Sequence, residues 1–169
     1  MSVTVRSRLL VWGGAASVVA LDQLSKAWVV HELPAYTPVD WIPQLASLFS
    51  FTFVKNTGVA FGLFPQLGGI FTILSACVIV GILIFQRVIA GTDLWIYGGL
   101  GLVIGGALGN LIDRLTRGYV VDFIDVNFWP LHGWPVFNIA DSAIVVGVAI
   151  LLFDAFFLSE REAVPDATV

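Results

Sequence analysis

Four runs of about twenty apolar residues limit this chain to one kind of environment. They cover about Leu9–Val30, Leu67–Ile89, Leu94–Ile112 and Ile139–Leu158. A helix needs roughly 20 such residues to cross a hydrocarbon core, and a helix satisfies its own backbone hydrogen bonds there. The chain has 169 residues, 58% of them hydrophobic and 12% charged, with a mean hydropathy of +0.93. Soluble chains are about a quarter charged, and a water-soluble fold of this length has too little interior for so much apolar surface. The expected fold is a mainly α membrane protein, a four-transmembrane-helix bundle forming a single domain over 1–169. Leu9–Val30 exceeds a signal-peptide core and lacks an A-x-A-type cleavage site followed by a soluble domain, so it is expected to be a retained span.

Three carboxylates stand out against this pattern. Asp22, Asp113 and Asp141 each fall near one end of an apolar run, where a charge costs roughly 3 kcal/mol or more. With four spans, both termini share a side with the short connection containing Gln86, Arg87, Gly91, Thr92 and Asp93. The two long connections, roughly 31–66 and 113–138, share the other side. Asp22 and Lys26 lie toward the end of the first run. Asn110, Asp113 and Arg114 close the third, and Asn138 and Asp141 open the fourth. All these ends face the long-loop side, where Lys55, Asn56 and Asp122 also lie. Acids gathered at one interface suggest acid–base chemistry there. Arg6 and Arg8 immediately precede the first span, which places the termini in the cytoplasm by the positive-inside rule.

The loops carry their own pattern. Phe49, Phe51 and Phe53 alternate with Ser50 and Thr52, the period of a half-buried strand. Lys55-Asn56-Thr57-Gly58 reads as a turn, Val59–Phe64 as a further extended piece, and Tyr119–Val126 as a short strand holding Asp122 and Asp125. A small sheet resting on the membrane surface is expected. Trp28, Trp41, Trp129 and Trp134 gather on the same side, as an interfacial aromatic belt would. Gly101, Gly105 and Gly109 form a small-xxx-small stripe in the third run, and Ala143 and Gly147 repeat the spacing in the fourth. Such stripes let helix backbones approach closely in lipid.

Several chemistries are excluded. The single cysteine, Cys77, lies mid-span and far from both histidines, His31 and His132. Those two histidines lack zinc-ligand spacing. Ser25 and Lys26 are adjacent, and such neighbours do not face each other on a helix. The scattered Lys and Arg residues and the net charge of −4 give no nucleic-acid footprint. Carboxylates remain. Asp22 and Lys26, four apart on one helix face, can form an ion pair. Asn138 and Asp141 match a helix capping box. Two carboxyls a few ångströms apart share one proton near neutral pH, so one can take a proton from water while the other donates to a carbonyl oxygen. Such a pair needs neither metal nor cofactor, and none is expected. The residues alone favour no particular pair among Asp22, Asp113, Asp122 and Asp141.

Five segments in order resemble the bacterial lipoprotein signal peptidases. They are Asp22-Gln23-Leu24-Ser25-Lys26, Asn56-Thr57-Gly58-Val59-Ala60-Phe61, the run from Gly105 to Arg114, Val120-Val121-Asp122-Phe123, and Phe137-Asn138-Ile139-Ala140-Asp141-Ser142. Only the tails, about 1–8 and 159–169, lie outside the resemblance. It implies a type II signal peptidase, an aspartic endopeptidase cleaving prolipoproteins before a cysteine that already carries diacylglycerol. It implies Asp122 and Asp141 as the catalytic pair. Asp22, Lys26, Asn56, Gly58, Asn110, Asp113, Arg114, Asn138 and Ala140 match positions that line or support the site. It also implies a four-helix bundle with a small extracytoplasmic β-sheet, the cradle, and a helix on the outer side. The expected partners are the lipid-modified substrate and membrane lipids. The expected setting is the bacterial cytoplasmic membrane, as a multi-pass monomer with its site near the outer leaflet. Arg114 is expected either to contact substrate or to pair with Asp113. The chief alternative is a small proton- or ion-coupled transporter, which needs polar residues through the full depth of the spans.

Overall fold

The computed structural model describes residues 3–40, 42–58, 68–89, 94–131 and 133–157. Its α-helices are α1 (Val3–Glu32), α2 (Gly68–Ile89), α3 (Leu94–Arg117) and α4 (Ile139–Phe157). Its strands are β1 (Pro38–Val39), β2 (Phe49–Asn56) and β3 (Val120–Val126). The extended piece expected over Val59–Phe64 lies outside the described residues, as do Trp41, His132 and the connection through Gly91–Asp93. The helices overlie the four apolar runs, but their ends differ. Helix α1 begins well before Leu9, and α3 continues past Ile112 to Arg117. The last turn of α3 is polar, so an apolar count stops short of it. Arg114 and Arg117 nevertheless suit that turn, because the helix dipole favours cations at a C-terminus. Among the described residues, α3 and α4 are long and apolar enough to cross a membrane. The apolar stretch Thr72–Ile84 of α2 is shorter, and the charges of α1 lower its mean hydropathy.

Helix α3 is the centre of the bundle and packs against α1, α4 and α2. The glycine stripe is what permits this. A Cβ on Gly105 would fall 2.8 Å from the Ala15 carbonyl oxygen, so the α1 backbone sits where an alanine methyl would have to go. Gly147 of α4 meets the Gly99 carbonyl in the same way, at 2.7 Å. Away from the loops, Val11, Ala15, Ile96, Leu100 and Ile104 fill the bundle with apolar side chains. The outward faces are also apolar. Leu9, Trp12, Leu21 and Leu24 of α1, Ile73 and Ile84 of α2, and Val145, Phe153 and Phe156 of α4 are exposed. The charged residues Asp22, Lys26 and Asp113 are completely buried instead. That inverts the usual arrangement of a soluble protein, in which such residues are almost never fully buried unless paired.

The sheet is antiparallel, in the order β1-β2-β3. Strand β2 therefore pairs with β1 and β3. The two-residue strand β1 has no period to read in the sequence. Phe53, Val121 and Phe123 pack on Val29 and Leu33, seating the sheet on the C-terminal end of α1. The register of β2 against β3 is irregular between Phe51 and Val54: Phe51 faces Ile124, whereas Val54 faces Asp122. Two β2 residues thus oppose one of β3, the pattern of a bulge. Cross-strand partners share a face. Beyond the bulge it is therefore Val54 and Asn56, not Phe53 and Lys55, that share the face of Asp122. The predicted turn starts later than expected, since Lys55 and Asn56 still belong to β2.

Candidate functional site

The ends of α1 and α3, the start of α4, and β3 meet around one polar cluster. Lys26 is its hub. Its ammonium donates to Asp22 at 2.8 Å, to Asp113 at 3.0 Å and to the Asn110 carbonyl oxygen at 2.9 Å. All three of its protons thereby have acceptors, so no donor is left unmet in the interior. Arg117, one turn beyond Asp113, binds the other oxygen of that carboxylate. Gln23 donates to Asp22, Asp113 and the Gly109 carbonyl, and its own carbonyl oxygen accepts from Arg117.

The acids of this cluster reach outward to backbone. Asp22 Oδ1 accepts the Ala140 N–H at 3.0 Å, and Asp113 Oδ2 accepts the Val121 N–H at 3.0 Å. Ala140 precedes Asp141 and Val121 precedes Asp122. Phe137 pairs with Ile124 of β3 and holds the entry to α4 against the sheet.

Asp122 and Asp141 are joined by Asn138. The Asn138 side-chain amide donates to Asp122 Oδ1 at 2.7 Å, and its backbone N–H donates to Asp141 Oδ2 at 3.2 Å. The Asn138 carbonyl oxygen in turn accepts the Asp141 N–H at 2.9 Å. The expected capping box is therefore formed. Asn56 donates to the other oxygen of Asp122 at 2.8 Å, and Asn110 donates to Asp141 Oδ1 at 2.7 Å.

Three asparagines share one logic. In each, a group that can only donate holds the carbonyl end: the Gly58 N–H for Asn56, Lys26 for Asn110, and the Asp141 N–H for Asn138. The amino end must then point at a carboxylate. Among the described residues no buried side-chain nitrogen or oxygen lacks a partner.

Burial pushes the Asp122 carboxyl up, to about 7, and the nearby charge of Asp141 pushes the same way. The Asn56 and Asn138 amides and the charge of Lys26 oppose the rise. Arg114 is half-buried and donates weakly to the Asn110 backbone carbonyl at 3.4 Å. The acids whose charge acts on it are Asp141, then Asp122, then Asp113. The arginine paired with Asp113 is thus Arg117, not Arg114.

The family model for signal peptidase (SPase) II matches residues 14–157. The chain belongs to the signal peptidase II family. A lipoprotein signal peptidase from Shewanella oneidensis is 40% identical over 167 residues, 96% of this chain and 95% of the relative. One from Psychromonas ingrahamii is 38% identical over 154 residues, 89% of this chain and 86% of the relative. A bacterial membrane enzyme solved by the in meso method at 2.3 Å superposes with a TM-score of 0.79 at 31% identity, covering 96% of this chain and 93% of the other. A second, solved at 1.9 Å, gives 0.77 at 30% identity over 90% and 93%. Membership of the signal peptidase II family makes the chain a peptidase and a membrane protein.

The residues expected to form or support the site fall within or beside the cluster. Lys26, Asp22, Asp113, Asn110 and Asn138 are buried at its centre, with Ala140 and Gly58 supplying backbone N–H groups. Asp125 lies outside it, accepting from Thr52 at 2.9 Å. Gln23, Arg117 and Gly109 were not singled out for the site. Arg117 was legible in principle, since it stands four residues after Asp113, but only once α3 is known to run past Ile112.

Proposed function

We propose that this chain removes the signal peptide from prolipoproteins, cutting on the N-terminal side of a diacylglyceryl-modified cysteine, with Asp122 and Asp141 as the catalytic dyad. The observation that carries this reading is Asn138, which hydrogen-bonds both carboxylates, Asp122 through its side-chain amide and Asp141 through its backbone N–H. Charge supports it. Asp22, Asp113, Asp122 and Asp141 face three cations, Lys26, Arg114 and Arg117. One proton on the second pair makes the buried site neutral.

In the reaction Asp122 starts protonated and Asp141 ionised. Asp141 takes a proton from water, the resulting hydroxide oxygen bonds to the scissile carbonyl carbon, and Asp122 gives its proton to the carbonyl oxygen. The gem-diol then collapses. Asp141 returns its proton to the amide nitrogen, Asp122 removes one from a diol hydroxyl, and the C–N bond breaks. The products are a carboxylic acid and the free amine of the lipidated cysteine. Both acids end as they began.

The setting suits such a substrate. Four membrane spans form one domain with both termini in the cytoplasm, and the site sits at the outer leaflet beneath the small sheet. The neutral amides of Asn56, Asn110 and Asn138 bond the two carboxylates, and the charge of Arg114 lies near them. The other half of the bundle is filled by Val11, Ala15, Ile96, Leu100 and Ile104, which favours a peptidase over an ion pathway through the full depth. The test is cleavage of a diacylglyceryl-modified precursor by purified protein in detergent. Asp122→Asn and Asp141→Asn should each abolish it. Activity retained in either rules out the dyad.

A further inference from the structure

Beside the proposed dyad lies a second set of charges, Asp22, Lys26 and Asp113, all fully buried. We propose that the Asp22–Lys26–Asp113 cluster is a positioning device that sets the mutual placement of the two reacting carboxylates. The inference rests on the dyad reading and goes beyond it by assigning the cluster a part in the chemical step.

The geometry carries the argument. One lysine holds two acids, and each acid holds the backbone N–H immediately before one member of the dyad: Val121 before Asp122, and Ala140 before Asp141. Helix α4 and strand β3 belong to different parts of the chain, and Lys26 ties them through two equivalent contacts. Lys26 also fixes the Asn110 amide. A lysine can only donate, so the Asn110 carbonyl must face it and the amino group must face Asp141 at 2.7 Å. Without the lysine only the Asn138 amide, at 3.1 Å, still holds that oxygen. Buried ion clusters are poor sources of stability compared with apolar packing of the same volume. A cluster whose acids end on these two N–H groups does what apolar packing cannot.

Gly109 provides an independent handle. A Cβ there would fall 2.6 Å from Asp22 Oδ2 and 3.3 Å from the Ala140 Cβ. An alanine would push the Asp22 carboxylate away from its seat while leaving every charge in place.

The groups facing Asp122 are Asn56 from β2, Asn138 and Asp141 from the start of α4, Lys26 from α1 and Arg114 from α3. Lys26 holds the Asp122 carboxyl down, so its removal lets Asp122 keep its proton to higher pH.

The experiment compares wild type, Lys26→Met, Gly109→Ala and Asp122→Asn on a diacylglyceryl-modified precursor, reading kcat, KM, the pH profile of kcat/KM and thermal stability in detergent. Misplacement of reacting groups by about 1 Å costs on the order of 100-fold. Lys26→Met should therefore lose about that in kcat with KM little changed, and its basic limb should move to higher pH. Gly109→Ala should lose about 10-fold in kcat, again with KM little changed, as a smaller displacement of the same kind. A folded Lys26→Met with wild-type kcat and pH profile would overturn the proposal. If Lys26→Met does not fold, Gly109→Ala decides: a fall in kcat supports the device, and an unchanged kcat overturns it. Asp122→Asn separates the two ideas. If that variant is inactive while Lys26→Met is fully active, the dyad stands and the positioning device falls. If Asp122→Asn is active, the dyad itself is wrong.

Discussion

Two pairs of aspartates lie within one cluster, and their neighbours divide them. Asp22 and Asp113 are fully buried, and each is met by a cation: Lys26 for both, with Arg117 added for Asp113. Asp122 and Asp141 are met chiefly by neutral amides, from Asn56, Asn110 and Asn138. Burial and the charge of Asp141 push the Asp122 carboxyl up, against the opposing pull of its amide donors, whereas a nearby cation favours the ionised form of a carboxylate. On the proposed reading the same residue type is a fixed strut in one pair and an acid–base group in the other. The partners decide the role, not the depth or the residue.

The sharpest way to break this comparison is to remove one charge from each pair and watch which property fails. Asp122→Asn and Asp141→Asn should each lower the rate by about 10³-fold or more, the range expected for loss of a general acid or base. Their stability should hold, and for Asp122→Asn it should rise. The folded-state value for Asp122 is raised to about 7, so ionising it opposes folding progressively as pH climbs toward that value. Its amide removes the penalty. Asp113→Asn should do the opposite and destabilise by roughly 3–5 kcal/mol, because it strips a buried lysine of one partner. Thermal melts of the variants in one detergent check both signs.

Asn138 belongs to neither pair and should give an intermediate result. Asn138→Ala removes the amide on Asp122 and the cap of α4 together. A cap is worth about 1 kcal/mol, so the melting temperature should fall slightly while kcat falls by about 10-fold or more. The wild-type rate should also decline as pH rises through about 7, where Asp122 gives up the proton it must donate. The smallest effect expected is none at all: dialysis against a chelator should leave the rate unchanged, since base and acid are both carboxyls.

Most of the architecture was readable because lipid and sheet impose simple periods. Apolar length marked the helices, and the alternation of Phe49, Phe51 and Phe53 marked β2. The glycine stripe pointed correctly to a close helix neighbour. What stayed hidden depends on a few local departures. The bulge between Phe51 and Val54 has no composition signal, yet it decides that Asn56 rather than Lys55 can reach Asp122. The polar last turn of α3 concealed the Asp113–Arg117 spacing and left Arg114 as the apparent partner. Spacing alone also could not tell whether Asp141 only caps α4: its N–H and one oxygen close the capping box while the other oxygen accepts from Asn110. The gathering of the acids on one side was legible, but their division into two kinds was not.

The central claim is that Asp122 and Asp141 share one proton. Infrared spectra of the purified protein, which resolve the carbonyl stretch of protonated carboxyl groups, test it directly. The account predicts a signal worth one protonated carboxyl that fades as pH rises through about 7, and the absence of that transition in Asp122→Asn. No such signal in the wild type, or the same transition surviving in Asp122→Asn, would contradict it.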